Sequence, residues 1–312
     1  QIPAYGADAI LQLAANLLRG GGIAAWKGLG GYQLACDARN EAAVAELRKR
    51  KHRSQKAFAV MVGDIATAEL LCEMTEPERR LLNGPSKPIV LLQTRVAPKL
   101  AESVAPGSLL LGTMLPYTPM HALLFSALRD AGVENAVLVM TSGNVSEEPI
   151  VIDEAEARER LSGIADIFVD HNRAIHTRVD DSVARIIEGK PMLLRRARGY
   201  APMPVELALN RAPLLACGAQ QKSTFCLAQE GVAFLSQHLG DLENYETLAF
   251  FQETLERMTR LLQIEPQAVA HDLHPEYLST RLAHRLPIAR KIGVQHHHAH
   301  IASCMAEHRL EG

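Results

Sequence analysis

Pro202, Pro204 and Pro213 fall within one short stretch, from Ala201 to Pro213. Proline fixes φ and offers no N–H, so neither a helix interior nor a central strand runs through such a stretch. It divides a chain of 312 residues, a length that suits about two domains. Residues 1–205 read as one domain and residues 206–312 as the next.

Before the prolines, short apolar runs alternate with helical stripes. Ile10, Leu11, Leu13, Ala14, Leu17 and Leu18 recur at helical spacing, with Asp8 as the expected N-cap and Gly20-Gly21-Gly22 as the stop. Residues 23–26, 58–62, 89–92 and 136–140 read as strands; residues 41–50 and 120–128 read as helices. Asn40, Asp64 and Thr75 stand where N-caps are needed. Alternation of this kind predicts an α/β domain with a mixed or parallel sheet. After the prolines, apolar runs at 214–217, 224–228 and 232–236 are separated by glycine-containing turns and predict an antiparallel meander. A long amphipathic helix is expected over 245–262, striped by Leu248, Phe251, Leu255, Met258 and Leu262. Strands at 268–270 and 292–294 flank a helix near 277–284.

With aromatics at 4%, the cores must rest on Ala, Leu, Ile and Val. No apolar run reaches the roughly 20 residues of a membrane span. The five cysteines are scattered and form no CxxC pair, which fits a reduced, cytoplasmic protein. The chain opens on Gln1 and closes at Gly312 after a helix-like stretch. It is therefore expected to be a piece of a longer protein.

Four stretches carry chemistry. From Arg48 to Lys56, seven of nine residues are basic when His52 is counted. The first few complement a helix C-terminus. Lys51, Arg53 and Lys56 follow in the loop, where cations can converge on phosphates. A nucleic-acid patch is the rival reading. The run has no interleaved aromatics and the chain has a net charge of -2, so a triphosphate is preferred and no nucleic-acid partner is expected. Thr141-Ser142-Gly143-Asn144-Val145-Ser146 directly follows an apolar strand. It is either a polar turn or a set of ligand-binding groups at a sheet edge. Asp180-Asp181-Ser182-Val183 leads toward Arg195, Arg196 and Arg198, which form a solvated strand end or an anion clamp. Neither a GxGxxG turn after a strand, a P-loop nor a GxSxG elbow is present. Lastly, in Gln295-His296-His297-His298-Ala299-His300, His296 and His300 lie one helical turn apart. Two imidazoles so placed can reach one divalent cation, or they are a structural pair.

Together these segments resemble the HypF family of hydrogenase-maturation carbamoyltransferases. The resemblance is carried by residues 27–38, 115–121, 141–144, 180–183 and 195–200. In the second half it is carried by residues 236–242, 272–280 and 295–300. It implies a YrdC-like twisted mixed sheet with helices, followed by part of a TsaD-like α/β domain of the actin and sugar-kinase type. The implied chemistry is ATP-dependent formation of carbamoyl-adenylate from carbamate, with ATP carrying its Mg2+ and pyrophosphate released. Transfer then goes to the C-terminal cysteine of a HypE-like acceptor, with carbamoyl phosphate as the upstream substrate. Given that chemistry, Lys51 and Arg53 are expected to be catalytic, as loop cations that neutralise the departing pyrophosphate and whose loss would leave the fold intact. By the same resemblance Lys27, Lys56, Ser142, Asn144, Ser146, Ser182 and Arg195 bind ATP or the carbamoyl group. His296 and His300 hold a divalent metal, zinc or iron, completed by a carboxylate beyond Gly312. The family's acylphosphatase domain and zinc module would precede Gln1, so this piece should lack carbamoyl phosphate hydrolysis. Two relatives are alternatives: a threonylcarbamoyl-adenylate synthase of transfer-RNA modification, and an antibiotic O-carbamoyltransferase. No membrane association is expected.

Overall fold

The computed structural model describes residues 6–96, 99–145, 148–207 and 212–310. The chain divides into two compact units at Gly199 and Tyr200. The strand Pro204–Glu206 pairs with Val232–Leu235 in the second unit's sheet. The stretch 200–206 thus lies in the second unit, whereas the prolines had suggested a break at 205. Pro204 opens a strand at the edge of that sheet, one of the few sheet positions proline tolerates.

The first unit is built on one mixed sheet. Its strand order is Lys190–Arg195, Val183–Ile187, Ile89–Thr94, Leu110–Met114, Val60–Val62, Val137–Ser142, Tyr32–Asp37, Ala24–Lys27 and Ile167–Val169. Side chains alternate between two buried faces. Leu34, Cys36, Val60, Val62, Val137 and Val139 enter one core, with Ala43, Val44 and Leu47 from the helix Glu41–Arg50. Ala35, Met61, Leu138 and Met140 enter the other, beneath the helices Ala7–Arg19 and Pro119–Asp130. Burial on both faces explains why these strands read as continuous apolar runs.

Local signals account for most helix ends. The Asn40 side chain accepts from the Ala43 N–H and Asp64 accepts from Thr67, while Thr75 and Glu78 form a capping box. Asp8 differs from expectation. The first helix begins at Ala7 with Gly6 at the cap position, and Asp8 lies in the first turn, where its charge suits the helix dipole. Ile10 and Leu13 belonged to the expected stripe but are exposed; the buried face is Leu11, Ala14, Ala15 and Leu18.

In the second unit, Leu214–Cys217, Phe225–Gln229 and Val232–Leu235 pair antiparallel, as the turn spacing predicts. Ala268–Asp272 and Arg290–Val294 extend the sheet in parallel from Leu214–Cys217. The helix Tyr245–Leu262 covers it with Phe250, Phe251 and Met258.

The turn after the strand Val137–Ser142 has little room. Ser142 lies opposite Gln33 in the antiparallel ladder, and the Gly143 N–H donates to the Tyr32 carbonyl at 2.6 Å. A Cβ on Gly143 would come within 2.7 Å of the Tyr32 carbonyl oxygen and of its Cβ. Gly143→Ala should therefore cost about 1–3 kcal/mol of unfolding free energy in a urea titration. An unchanged midpoint would contradict this close approach.

Candidate functional site

The helix Glu41–Arg50 delivers Lys51 at its C-cap. The Lys51 side chain runs inward and is only 3% exposed. Its ammonium donates to the carbonyls of Ser142 and Asn144, both at 2.7 Å, and to Asn144 Oδ1 at 2.6 Å. The Ser142 hydroxyl donates to the same Oδ1 at 2.8 Å. Lys51 is therefore not simply the loop cation expected from sequence; it is the buried tie of the turn after the strand. Burial, reinforced by repulsion from Arg53 and opposed by Asp180, pushes its ammonium down to about 7. A change that removes Lys51 consequently acts on the fold.

Arg53 sits beside it. Its guanidinium donates to the carbonyls of Lys56 at 3.0 Å and Ala57 at 2.7 Å, and stacks 4.9 Å from the Phe58 ring centre. Burial, Arg48 and Arg195 together push Arg53 down to about 10, against the pull of Asp180. Arg195 is thus brought from the far edge strand into electrostatic range of the Lys51–Arg53 loop. Arg48 closes the loop from below, donating to the carbonyls of Arg53, Ser103 and Val104 and stacking on Phe58. Arg50 pairs with Glu46 and Asp166. Much of the basic run therefore serves the fold.

The other expected residues are placed differently. Lys27 is 1% exposed, pairs with Glu154, and donates to the His171 carbonyl at 3.0 Å. The Ser182 hydroxyl is fully buried; it donates to the Arg198 carbonyl at 2.9 Å and accepts from the Ala197 N–H at 2.8 Å. Lys56 is exposed. Ser146 lies outside the described residues.

Sequence reasoning missed a buried polar network in the same unit. Gln33 Nε2 donates to Tyr117 Oη at 2.8 Å and to Asp181 at 2.9 Å, while its Oε1 faces His121 Nε2 at 3.1 Å. Arg198 donates to Asp181 at 2.9 Å and lies 3.4 Å from the Tyr117 ring centre. Burial pushes His121 down to about 4, so its imidazole is neutral and hydrogen-bonds as a neutral ring. Burial and Asp181 raise the Tyr117 phenol well above its ordinary range. Each partner comes from a segment already singled out, but no local spacing links the segments.

In the second unit, His296 and His300 lie on the helix His296–His308. Their Nε2 atoms are 3.1 Å apart, close to the separation of two nitrogens that share one tetrahedral cation, about 3.3 Å. His296 Nδ1 lies 2.6 Å from the Asp272 carboxylate. Among the described residues no three His, Cys, Asp or Glu side chains gather as a metal site. The pair itself fits a divalent cation that takes further ligands from elsewhere.

The two units have counterparts among known proteins. Residues 16–197 match the Sua5/YciO/YrdC family model, described as telomere recombination, and residues 209–307 match that of the HypF Kae1-like domain. The architecture is thus a Sua5/YrdC-type domain joined to a Kae1-like one. The chain belongs to the HypF family. It is 47% identical over 98% of its length to carbamoyltransferase HypF2 of Cupriavidus necator. With carbamoyltransferase HypF of Rhizobium leguminosarum bv. viciae it shares 45% identity over 95% of its length. It spans about two-fifths of these relatives, 40% and 39% of their lengths. A solved full-length HypF, in a phosphate- and nucleotide-bound form, superposes with a TM-score of 0.92 at 46% identity; the match covers 97% of this chain and 47% of that one.

Lys51→Met keeps the aliphatic stem and strands the oxygens that the ammonium now satisfies. We expect a loss of about 1–3 kcal/mol in unfolding free energy. Stability equal to the parent would mean that Lys51 does not hold the turn.

Proposed function

We propose that the first domain, which ends at Gly199, activates carbamate as carbamoyl-adenylate, and that the chain from Tyr200 onward belongs to the domain that transfers the carbamoyl group. One observation carries the reading: the ammonium of Lys51, joined to Ser142 and Asn144, lies beside the cation Arg53, which in turn feels the charge of Arg195, in a chain of the HypF family. That its relatives are carbamoyltransferases and that a solved HypF holds a nucleotide support it.

The chemistry asks for what this site offers. A carbamate oxygen attacks the α-phosphorus of ATP, the bond from that phosphorus to the bridging oxygen breaks, and pyrophosphate leaves, with Mg2+ accompanying the nucleotide. Charge grows on the departing oxygens, where Arg53, Arg195 and Lys51 neutralise it. Ser142 and Asn144, fixed by Lys51, orient the nucleotide and the acyl group. In the second step an acceptor thiolate attacks the carbamoyl carbon and the bond to AMP breaks. The acceptor in this reading is a HypE-like partner whose C-terminal cysteine becomes a thiocarbamate, on the way to a cyanide ligand of a nickel–iron hydrogenase. His296 and His300 would hold zinc or iron there, a cation that steadies phosphates and polarises the carbonyl. The sparse, unpaired cysteines agree with a cytoplasmic setting. No described helix is long and apolar enough to cross a membrane.

Pyrophosphate–ATP exchange tests the first step. With ammonium bicarbonate as the source of carbamate, this chain should exchange label, and Arg53→Ala should lower the rate at least about tenfold, the loss expected for a transition-state cation. Exchange that requires threonine as well as bicarbonate would move the protein to threonylcarbamoyl-adenylate synthesis. Full exchange in Arg53→Ala would remove that arginine from the mechanism.

A further inference from the structure

The His296 ring is gripped on the side away from His300. Asp272 ends the strand Ala268–Asp272 and pairs in register with Val294, two residues before His296. The parallel ladder therefore sets the carboxylate against the first residue of the helix His296–His308. The Asp272 side chain is 9% exposed, and both of its oxygens are engaged. Oδ1 accepts from the His274 N–H at 2.9 Å, and Oδ2 lies 2.6 Å from His296 Nδ1.

A carboxylate only accepts hydrogen bonds, so the ring nitrogen facing it must carry the hydrogen. His296 then carries a hydrogen at Nδ1, and in the neutral ring the lone pair of Nε2 points toward His300 Nε2, 3.1 Å away. We propose that Asp272 is a positioning residue: it fixes the tautomer and the ring orientation of His296 so that the Nε2 lone pair is presented, together with His300, to a divalent cation. The inference rests on the metal reading of the pair given above. Carboxylates that hold the far nitrogen of a ligating imidazole are a general means of raising ligand basicity. Without a cation, the space between the two Nε2 atoms is bridged by the His300 Nε2–H. A cation entering there displaces that hydrogen, which the neutral His300 ring moves to its own Nδ1, leaving Nε2 free to ligate.

Asp272→Asn separates this role from a merely structural one. An asparagine has one oxygen for two N–H groups, those of His274 and of His296 Nδ1. Its NH2 group must face one of them. Facing His296, it requires an acceptor at Nδ1, which moves the ring hydrogen to Nε2 and closes the ligand position. The chain is titrated with Co2+ as probe, and histidine tautomers are read from long-range 1H–15N correlation spectra. The parent should bind Co2+ and show His296 protonated at Nδ1. Asp272→Asn should bind Co2+ about 10–100-fold more weakly, with His296 shifted to the Nε2–H form, and His300→Ala should abolish binding. Parent-like Co2+ affinity in Asp272→Asn, or a parent His296 already protonated at Nε2, overturns the proposal; the second result needs no variant and so does not depend on how Asp272→Asn folds. A parent that takes up no Co2+ overturns the reading that the pair holds a cation by itself, and the tautomer spectra then decide the Asp272 assignment by themselves.

Discussion

A single buried ammonium organises the first unit. Lys51 stands where a helix ends, and a charge at 3% exposure survives there only because carbonyl and amide oxygens surround it. Those oxygens belong to the turn that follows a central strand. The hydrogen bonds therefore connect the basic loop, the strand end and the polar turn into one piece. Without the ammonium, Ser142 and Asn144 would present their oxygens to one another; with it, the Ser142 hydroxyl and Asn144 amide are held in one arrangement. Arg53, itself tied to the Lys56 and Ala57 carbonyls, adds charge beside this piece.

Polar groups this deep are sustained by a sheet whose two faces are both covered. Alternate residues of the central strands enter two separate cores, so water is kept from both sides. Gln33 is buried in the strand Tyr32–Asp37 and satisfies its amide through Tyr117, Asp181 and His121. Arg198 closes the network against Asp181. Low local dielectric strengthens each of these bonds and makes each one costly to lose.

The sequence made some of this legible and hid the rest for physical reasons. The helix Tyr245–Leu262 was readable to its ends, because its apolar stripe is continuous and Asn244 caps it. The strands Tyr32–Asp37 and Leu110–Met114 were not singled out, since each mixes apolar with polar or glycine residues. Ser142, Asn144, Arg53 and Arg195 were visible as polar or basic residues at the ends of apolar runs. That Lys51 is buried was not, because a helix C-terminus explains a lysine equally well when it is solvated. Gln33, His121 and Asp181 are far apart in the chain and meet only through the sheet. Asp272 lies 24 residues before His296, and only the parallel pairing of two strands brings them together.

In the proposed function Lys51 links the architecture to nucleotide chemistry, and its depressed protonation gives that role a signature. In the free protein the ammonium is pushed down to about 7. A bound triphosphate favours the charged form, so at about pH 8 binding should draw a proton from solution, and the uptake should fall as the pH is lowered through 7 toward about 6, where Lys51 is already charged. The measurement is calorimetry of a non-hydrolysable ATP analogue in two buffers that differ in ionisation enthalpy. Proton uptake at the higher pH that is absent from Lys51→Met is the predicted result. Binding with the same proton balance in parent and variant would contradict the account.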